Sequence, residues 1–81
     1  MKMSNVNFNF LGKIVVVFGG SRGIGNEICR QFVLSGAQVY NASRTSSGLK
    51  NVKNIKCDVS REEEILATFS NFEKIDFVIN V

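Results

Sequence analysis

The sequence predicts an α/β fold in which a parallel sheet carries helices on both faces. Ile14 to Phe18 is a continuous apolar run of mostly β-branched residues, which is typical of a strand covered on both faces. Glycines follow this run at once, and an amphipathic helical pattern begins among them. Strand patterns and helix patterns then alternate along the chain, as they do in βαβ units. Because crossovers between parallel strands are right-handed, the two predicted helices are expected on opposite faces of the sheet.

The first helix is predicted from Gly23 to Ser35. Within it, Ile24, Ile28 and Phe32 recur at four-residue spacing and give the helix one apolar stripe. Gly36 is expected to end the helix, since glycine accepts the left-handed conformation that follows a helix C-terminus.

The middle of the chain is predicted to hold two short strands separated by a polar loop. The second strand covers Ala37 to Ala42, the loop covers Ser43 to Asn54, and the third strand covers Asn54 to Val59. Ser46-Ser47-Gly48 lies at the centre of the loop, and this composition favours turns.

A second helix is predicted to begin at Ser60. Serine followed three residues later by Glu63 forms a capping box, and the acidic first turn complements the helix dipole. A fourth strand is predicted from Ile75 to Val81. The expected buried stripe of the second helix is Ile65, Leu66, Phe69 and Phe72.

Length and composition limit the classes of function. With 81 residues the chain has room for one small domain, 1–81. A net charge of +3 without a basic cluster argues against a nucleic-acid partner, and no apolar run is long enough to span a membrane. The chain contains no histidine, which removes the usual metal ligand and the usual general base, so no metal site is expected.

The N-terminal residues and the cysteines indicate a cytoplasmic protein. The first residues lack the apolar core of a signal peptide. Cys29 and Cys57 lie far apart in apolar segments, so they are expected to be buried and reduced rather than bridged or metal-bound. Phe8, Phe10 and Leu11 are expected to form an apolar lead-in that packs on the first strand.

Three glycines between the first strand and the first helix suit a dinucleotide phosphate site. Gly19 permits a sharp turn, Gly23 leaves room for phosphates, and Gly25 lets the helix pack closely on the first strand. Backbone N–H groups at a helix start have no intrahelical partner and the helix dipole is positive there, so a pyrophosphate can bind. The Gly-Lys-Ser/Thr ending of an ATP-binding loop is absent. The alternative is a glycine-rich turn that binds no ligand.

Four segments of the chain resemble the short-chain dehydrogenase/reductase family. Residues 19–25, Gly-Gly-Ser-Arg-Gly-Ile-Gly, resemble its cofactor motif, and residues 11–13, Leu-Gly-Lys, resemble its entry into the first strand. Residues 57–60, Cys-Asp-Val-Ser, resemble its element after the third strand, and residues 75–80, Ile-Asp-Phe-Val-Ile-Asn, resemble its fourth strand. The nearest type is the 3-oxoacyl-carrier-protein reductase. The resemblance implies a Rossmann-type parallel sheet, here partial, with about four strands in the order 3-2-1-4.

The resemblance also implies that this site binds a nicotinamide dinucleotide. It implies that Asp58 accepts a hydrogen bond from the adenine amino group beside the Val59 backbone. It places Asn80 at the adenosine ribose or the ring-binding cleft. The equal alternative for Asp58 is a turn residue ahead of Ser60. The residues of the glycine motif expected to contact the cofactor are Gly19, Ser21, Arg22, Gly23, Ile24 and Gly25.

The end of the second strand favours NADP(H) over NAD(H). NAD-binding folds usually carry an acidic residue there, which binds the ribose 2′-hydroxyl. This chain has Arg44 instead, preceded by Ser43 as a further hydrogen-bond donor, and Arg22 lies in the glycine motif. A guanidinium group binds a phosphate through paired, charge-assisted hydrogen bonds. The alternative is that both arginines are solvated surface residues.

No residue of this chain is assigned a catalytic role. The family uses a serine and a Tyr-x-x-x-Lys pair beyond its fourth strand, whereas Tyr40 lies in the second strand and is followed four residues later by Arg44. Tyr40 is expected to pack within the strand. Phe18 stands where the family usually has a threonine, whose hydroxyl could hold the glycine turn.

The fourth strand would be an open apolar edge of the sheet. The chain is therefore expected to be the first half of a doubly wound fold, truncated after that strand. A full-length form would transfer a hydride between NADP(H) and a small carbonyl or alcohol substrate. The alternatives are a non-catalytic module that binds a dinucleotide or a partner, including a second copy of itself, and an inactive gene remnant.

Overall fold

The computed structural model describes residues 9–81. The expectation for Phe8 therefore lies outside the described part of the chain. Within that part, the elements follow in the order strand, helix, strand, strand, helix, strand. They are β1 (Ile14–Phe18), α1 (Gly23–Leu34), β2 (Gln38–Ser43), β3 (Val52–Lys56), α2 (Glu62–Phe69) and β4 (Phe77–Asn80).

The strands form one parallel sheet in the order β3-β2-β1-β4. Strand β1 is central, and its Val17 lies beside Asn41 of β2 on one side and Ile79 of β4 on the other. This arrangement confirms the predicted α/β fold, the parallel pairing and the strand order. Because all four strands point the same way, their carboxyl ends meet at one edge of the sheet, and both helices begin there.

The sheet is covered on both faces, and β1 contributes side chains to both. Val15, Val17 and Cys29 belong to the cluster that packs against α1. Val16 and Cys57 belong to the cluster that packs against α2. The predicted position of helices on opposite faces is therefore confirmed. Both cysteines are fully buried, as predicted, and their thiols are free. Burial raises the pKa of the Cys29 thiol.

The lead-in before β1 packs differently from the prediction. The Phe10 ring contacts the rings of Phe32 in α1 and Phe77 in β4, with centroids 5.2 and 5.3 Å away. Leu11 is exposed. The packing on β1 predicted for Leu11 is therefore wrong, and the ring contacts of Phe10 are with α1 and β4.

Two residues predicted in apolar stripes are exposed instead. Ile24 is 75% exposed because it lies in the first turn of α1, beyond the carboxyl edge of the sheet. Leu66 is 61% exposed because the short α2 helix presents Ile65 and Phe69 to the sheet. The end of α1 agrees with the sequence, since Gly36 adopts a left-handed φ of 91°.

The predicted capping box of the second helix is wrong. Helix α2 begins at Glu62, and its N-cap residue, Arg61, makes no capping hydrogen bond through its side chain. The Ser60 hydroxyl instead donates to the charged Oδ1 of Asp58 at 2.7 Å. The glutamate of α2 that bonds the backbone ahead of the helix is Glu64, whose carboxylate accepts a hydrogen bond from the Asp58 N–H at 2.8 Å.

The strand limits differ most at β3 and β4. Strand β3 begins earlier than predicted, at Val52, which is buried and lies beside Val39 of β2. It ends earlier too, because the residues from Cys57 onward form the turn that Asp58 organises. Strand β4 is shorter than the predicted 75–81 and runs along the outer edge of the described sheet, with Val78 48% exposed.

Asp76 connects the start of β4 to the start of β1. Its Oδ2 accepts a hydrogen bond from the Ile14 N–H at 2.8 Å, and its own N–H donates to the Ile14 carbonyl at 2.9 Å. The Ile14 N–H lowers the pKa of the Asp76 carboxyl below the ordinary value of 3.8, with smaller contributions from Lys74 and Lys13. The ionised carboxylate therefore stabilises the folded chain above its ordinary pKa, and this contribution is lost as the pH falls through the lowered pKa.

We expect Asp76→Asn to lower the free energy of unfolding at neutral pH. In acid, where Asp76 is protonated, the variant and the unchanged chain should be equally stable. Urea unfolding between neutral pH and about pH 2 measures both free energies of unfolding across the range in which Asp76 is protonated. Glu73→Gln is the control, because Glu73 is exposed and makes no hydrogen bond or ion pair with residues 9–81. A difference between Asp76→Asn and the unchanged chain that is constant with pH would contradict the assignment.

No helix within residues 9–81 is long and apolar enough to cross a membrane. The longest, α1, has 12 residues, whereas a membrane-spanning helix needs about 20.

Candidate functional site

The chain turns sharply after β1, at the carboxyl edge of the sheet. Gly19 has a φ of 88° and Gly23 a φ of 62°, a region that other residues rarely adopt. The Gly19 N–H donates to the Ala42 carbonyl of β2 at 3.0 Å, which fixes the start of the turn. A Cβ atom on Gly23 would meet no atom within 4 Å, so the space beside this residue is open. The sharp turn predicted at Gly19 is confirmed.

Gly25 lies where the first turn of α1 contacts the chain after β1. A Cβ atom on this residue would stand 2.1 Å from the Gly19 carbonyl oxygen and 3.1 Å from the Gly20 Cα. The close packing predicted for Gly25 is therefore present, and its partner is the backbone immediately after β1. A side chain at this position would force the helix and the turn apart.

Among the described residues 9–81, neither the N-cap side chain nor an acidic first turn neutralises the N-terminus of α1. Its N-cap residue, Arg22, makes no capping hydrogen bond through its side chain, and the first turn contains no acidic residue. By contrast, the first turn of α2 is formed by three consecutive glutamates, 62–64. The first N–H groups of α1 and the positive end of its dipole therefore face the open space beside Gly23.

A pocket of about 170 Å³ opens between the loops that follow β1, β2 and β3. It joins residues from all three loops at the carboxyl edge of the sheet, as the parallel topology predicts. Its lining residues are Gly19, Ser21, Arg22, Ser43, Arg44, Thr45, Cys57 and Val59.

Arg22 and Arg44 bring two positive charges to this pocket from two different loops. Both side chains are exposed. Within residues 9–81, neither guanidinium group makes a hydrogen bond or an ion pair. The hydroxyl of Ser43 donates to the Thr45 carbonyl, so its proton is already engaged beside Arg44. Two unpaired guanidinium groups at one opening are suited to an anion with more than one phosphate.

Asp58 takes part in the turn after β3. Its Oδ1 accepts hydrogen bonds from the Ser60 N–H and hydroxyl, and these bonds are the main reason why its pKa is lowered, with a smaller effect from Arg44. The turn role considered for Asp58 is therefore present. Val59, next to it, is 49% exposed and lines the pocket.

Asn80 and the helix residues of the glycine motif lie outside the lining of the 170 Å³ pocket. Asn80 ends β4 and lines a neighbouring hollow of about 300 Å³ with Phe18, Val59 and residues of α2. Val59 belongs to both linings, so the two openings are adjacent. Gly23, Ile24 and Gly25 form the first turn of α1.

Tyr40 is part of the packing of β2. Its ring contacts the Phe72 ring edge to face at 4.7 Å, and the Lys53 ammonium lies 5.6 Å from its centroid. This confirms the expected strand role of Tyr40. Among residues 9–81, no three histidine, cysteine or carboxylate side chains are grouped so that they could hold a metal ion.

The contacts that Asn41 and Cys29 make with the glycine turn were not predicted from the sequence. The Gly20 N–H donates to Oδ1 of Asn41 at 2.8 Å, and a Cβ atom on Gly20 would stand 2.6 Å from the Cys29 Sγ. Asn41 is fully buried in β2. The signal available in the sequence was an asparagine inside an otherwise strand-forming segment, where an unpaired amide would be costly.

The chain is similar in sequence to known dehydrogenases and reductases. The family model described as short chain dehydrogenase matches residues 13–81. The chain is 42% identical to L-fucose dehydrogenase of Oryctolagus cuniculus over 82 aligned residues, which cover 88% of this chain and 29% of that protein. It is 30% identical to the 3-oxoacyl-[acyl-carrier-protein] reductase of Mus musculus, over 86% of this chain and 35% of that protein. The chain thus spans about a third of the length of these relatives.

Solved structures show the same fold. Aldohexose dehydrogenase of Thermoplasma acidophilum superposes with a TM-score of 0.83 and 29% identity, over 93% of this chain and 31% of that chain. A short chain dehydrogenase of Leptospira borgpetersenii with bound NAD+ superposes with a TM-score of 0.79 and 24% identity, over 99% of this chain and 34% of that chain. The second likeness bears on the fold alone.

Proposed function

The chain belongs to the short-chain dehydrogenase family, and we propose that it is the NADP(H)-binding part of an oxidoreductase of that family. The observation that supports this proposal best is the pair of unpaired guanidinium groups, Arg22 and Arg44, at one pocket beside the uncapped N-terminus of α1. We propose a single domain with the boundaries 1–81. The two free cysteines suit a cytoplasmic location, where thiols stay reduced.

The residues present fit a nicotinamide dinucleotide. The open space beside Gly23 and the free N–H groups of the first turn of α1 suit a pyrophosphate. Arg44, at the end of β2, stands where an acidic residue would bind a ribose 2′-hydroxyl, and it suits a 2′-phosphate instead. Asp58 and Val59 would hold the adenine, and Asn80 would border the adenosine ribose.

The chemistry of the complete protein is a part of the same proposal. A bound nicotinamide supplies or accepts a hydride at a carbonyl or alcohol carbon. The residues described here bind and orient the dinucleotide, and none of them is assigned to the reacting carbon. The names of two relatives, L-fucose dehydrogenase and aldohexose dehydrogenase, favour a sugar among the candidate alcohol substrates.

The cofactor preference rests on the arginines of this chain. The Leptospira neighbour holds NAD+, but at 24% identity it gives no information on which dinucleotide this chain prefers.

We expect the 81-residue chain to bind NADPH at least about tenfold more tightly than NADH, since one charge-assisted contact contributes about 1.5 kcal/mol or more. Titration calorimetry with each dinucleotide measures both dissociation constants without any substrate. The phosphate contribution should weaken as the salt concentration rises, because exposed charges are screened. Equal affinities, tighter binding of NADH, or no binding of either would each overturn the proposal.

A further inference from the structure

Asn41 is a buried amide in β2 that contacts two loops of the site at once. Its side chain is fully buried. Its Oδ1 accepts from the Gly20 N–H at 2.8 Å, and its Nδ2 donates to the Thr45 carbonyl at 3.1 Å and to Oδ1 of Asn54 at 2.9 Å. Because Oδ1 faces a donor and Nδ2 faces two acceptors, these partners fix the orientation of the amide.

On one side, this amide holds the glycine turn against β2. The N–H groups of Gly19 and Gly20 donate to two successive residues of β2, the first to the Ala42 carbonyl and the second to the Asn41 side chain. Gly20 is also enclosed, because a Cβ atom there would stand 3.0 Å from the Asn41 Oδ1 and 3.2 Å from a methyl group of Val17. The turn cannot shift along β2 without breaking both hydrogen bonds.

On the other side, the same amide holds the backbone that carries Arg44. The Thr45 carbonyl accepts from the Asn41 Nδ2 and from the Ser43 hydroxyl, so hydrogen bonds fix the chain on both sides of Arg44. Asn54 continues the network, since its Oδ1 also accepts from the Ser47 N–H at 2.8 Å.

We propose that Asn41 is a positioning residue that holds the glycine turn and the Arg44 loop in one relative position, and thereby sets the preference for a 2′-phosphate. This inference rests on the proposed NADP(H) site. The pyrophosphate and the 2′-phosphate of one dinucleotide are joined by a ribose, so the two loops must be correctly spaced to bind both. A network formed before the ligand arrives avoids the cost of ordering Arg44 on binding. Without Asn41, the turn still binds a pyrophosphate, but Arg44 must be ordered by the ligand.

The test compares NADPH with NADH, which differ only in the 2′-phosphate. We expect Asn41→Ala to lower the ratio of NADPH to NADH affinity roughly tenfold, and to leave this ratio unchanged when Arg44 is already alanine. Thr68→Ala is the control for simple loss of stability, because Thr68 is a buried polar residue of α2 that donates to the Glu64 carbonyl and lies outside the pocket. Equal weakening of both dinucleotides by Asn41→Ala would overturn the proposal.

A second variant covers the case in which Asn41→Ala does not fold. Asn54→Ala removes one acceptor of the Asn41 Nδ2 at an exposed position and leaves the Gly20 contact in place. We expect it to lower the same ratio by a smaller factor, with NADH affinity unchanged. An unchanged ratio in Asn54→Ala, together with unfolding of Asn41→Ala, would count against the proposal.

Amide hydrogen exchange of the chain without cofactor separates this inference from the proposed function. We expect Asn41→Ala to accelerate exchange at the Gly20 N–H and also at the Ser47 N–H, whose acceptor Asn54 this variant leaves in place. Acceleration at Gly20 alone would show that the two loops are not coupled. If the unchanged chain binds neither dinucleotide, the proposed function fails, and the exchange result alone decides whether Asn41 couples the loops.

Discussion

Gly25→Ala is expected to destabilise the chain by about 3 kcal/mol and to abolish dinucleotide binding. A Cβ atom at this position would lie 2.1 Å from the carbonyl oxygen of Gly19 and 3.0 Å from its carbonyl carbon. Backbone atoms cannot rotate away as a flexible side chain can, so α1 must separate from the glycine turn. That movement displaces the first N–H groups of α1 from their place beside the pocket. Urea unfolding and NADPH titration measure the two effects.

Gly48→Ala is the matched control for this experiment. Gly48 is exposed, and a Cβ atom there would meet nothing within 4 Å. The same chemical change should alter the free energy of unfolding by less than about 1 kcal/mol and leave NADPH affinity unchanged. If Gly25→Ala behaved like Gly48→Ala, the close contact between α1 and the turn would not constrain the site.

Replacing Arg22 and Arg44 together by alanine is expected to weaken NADPH binding about a hundredfold or more. Charge-assisted hydrogen bonds contribute about 1.5–3 kcal/mol each, and two arginines on two loops face the same pocket. NADH lacks the 2′-phosphate, so its affinity should fall much less, and the preference for NADPH should disappear. Arg44→Ala alone should remove most of the preference, because Arg44 stands at the end of β2.

The control for charge is a chain with Arg30 and Arg61 both replaced by alanine. These arginines are exposed and paired with glutamates, and neither lines the pocket. This variant changes the net charge as much as the test variant does, so it should affect NADPH and NADH only through weak, screened attraction. If the two double variants lose NADPH affinity equally, the effect is one of overall charge and the 2′-phosphate assignment is wrong.

Much of the fold was predictable from the sequence because it depends on local patterns. The apolar run of β1 identifies a strand buried on both faces. Gly36 marks the end of α1, where the backbone adopts a left-handed conformation. The glycine spacing and Arg44 indicated two loops, after β1 and after β2, that the structure brings to one pocket. Each of these inferences required only neighbouring residues and the topology of parallel strands.

The contacts that the sequence did not reveal depend on a choice among distant partners. Ser60 has the spacing of a helix cap, yet its N–H and its hydroxyl both donate to Oδ1 of Asp58, and its side chain caps no helix. Ile24 fits the helical stripe, yet it lies beyond the sheet that the stripe covers. Asn41 acquires its role from Gly20, 21 residues away along the chain. Such pairings are decided by the packed structure and leave little trace in local composition.

The unequal N-termini of the two helices make the carboxyl edge of the sheet electrically asymmetric. Both helices point their positive ends to this edge, but the glutamates of α2 neutralise one end, whereas Arg22 adds charge at the other. An approaching dianion therefore meets a field that attracts it on the α1 side and repels it on the α2 side. A dinucleotide bound as we propose would meet this asymmetric field along its length, with its phosphates drawn to the α1 side.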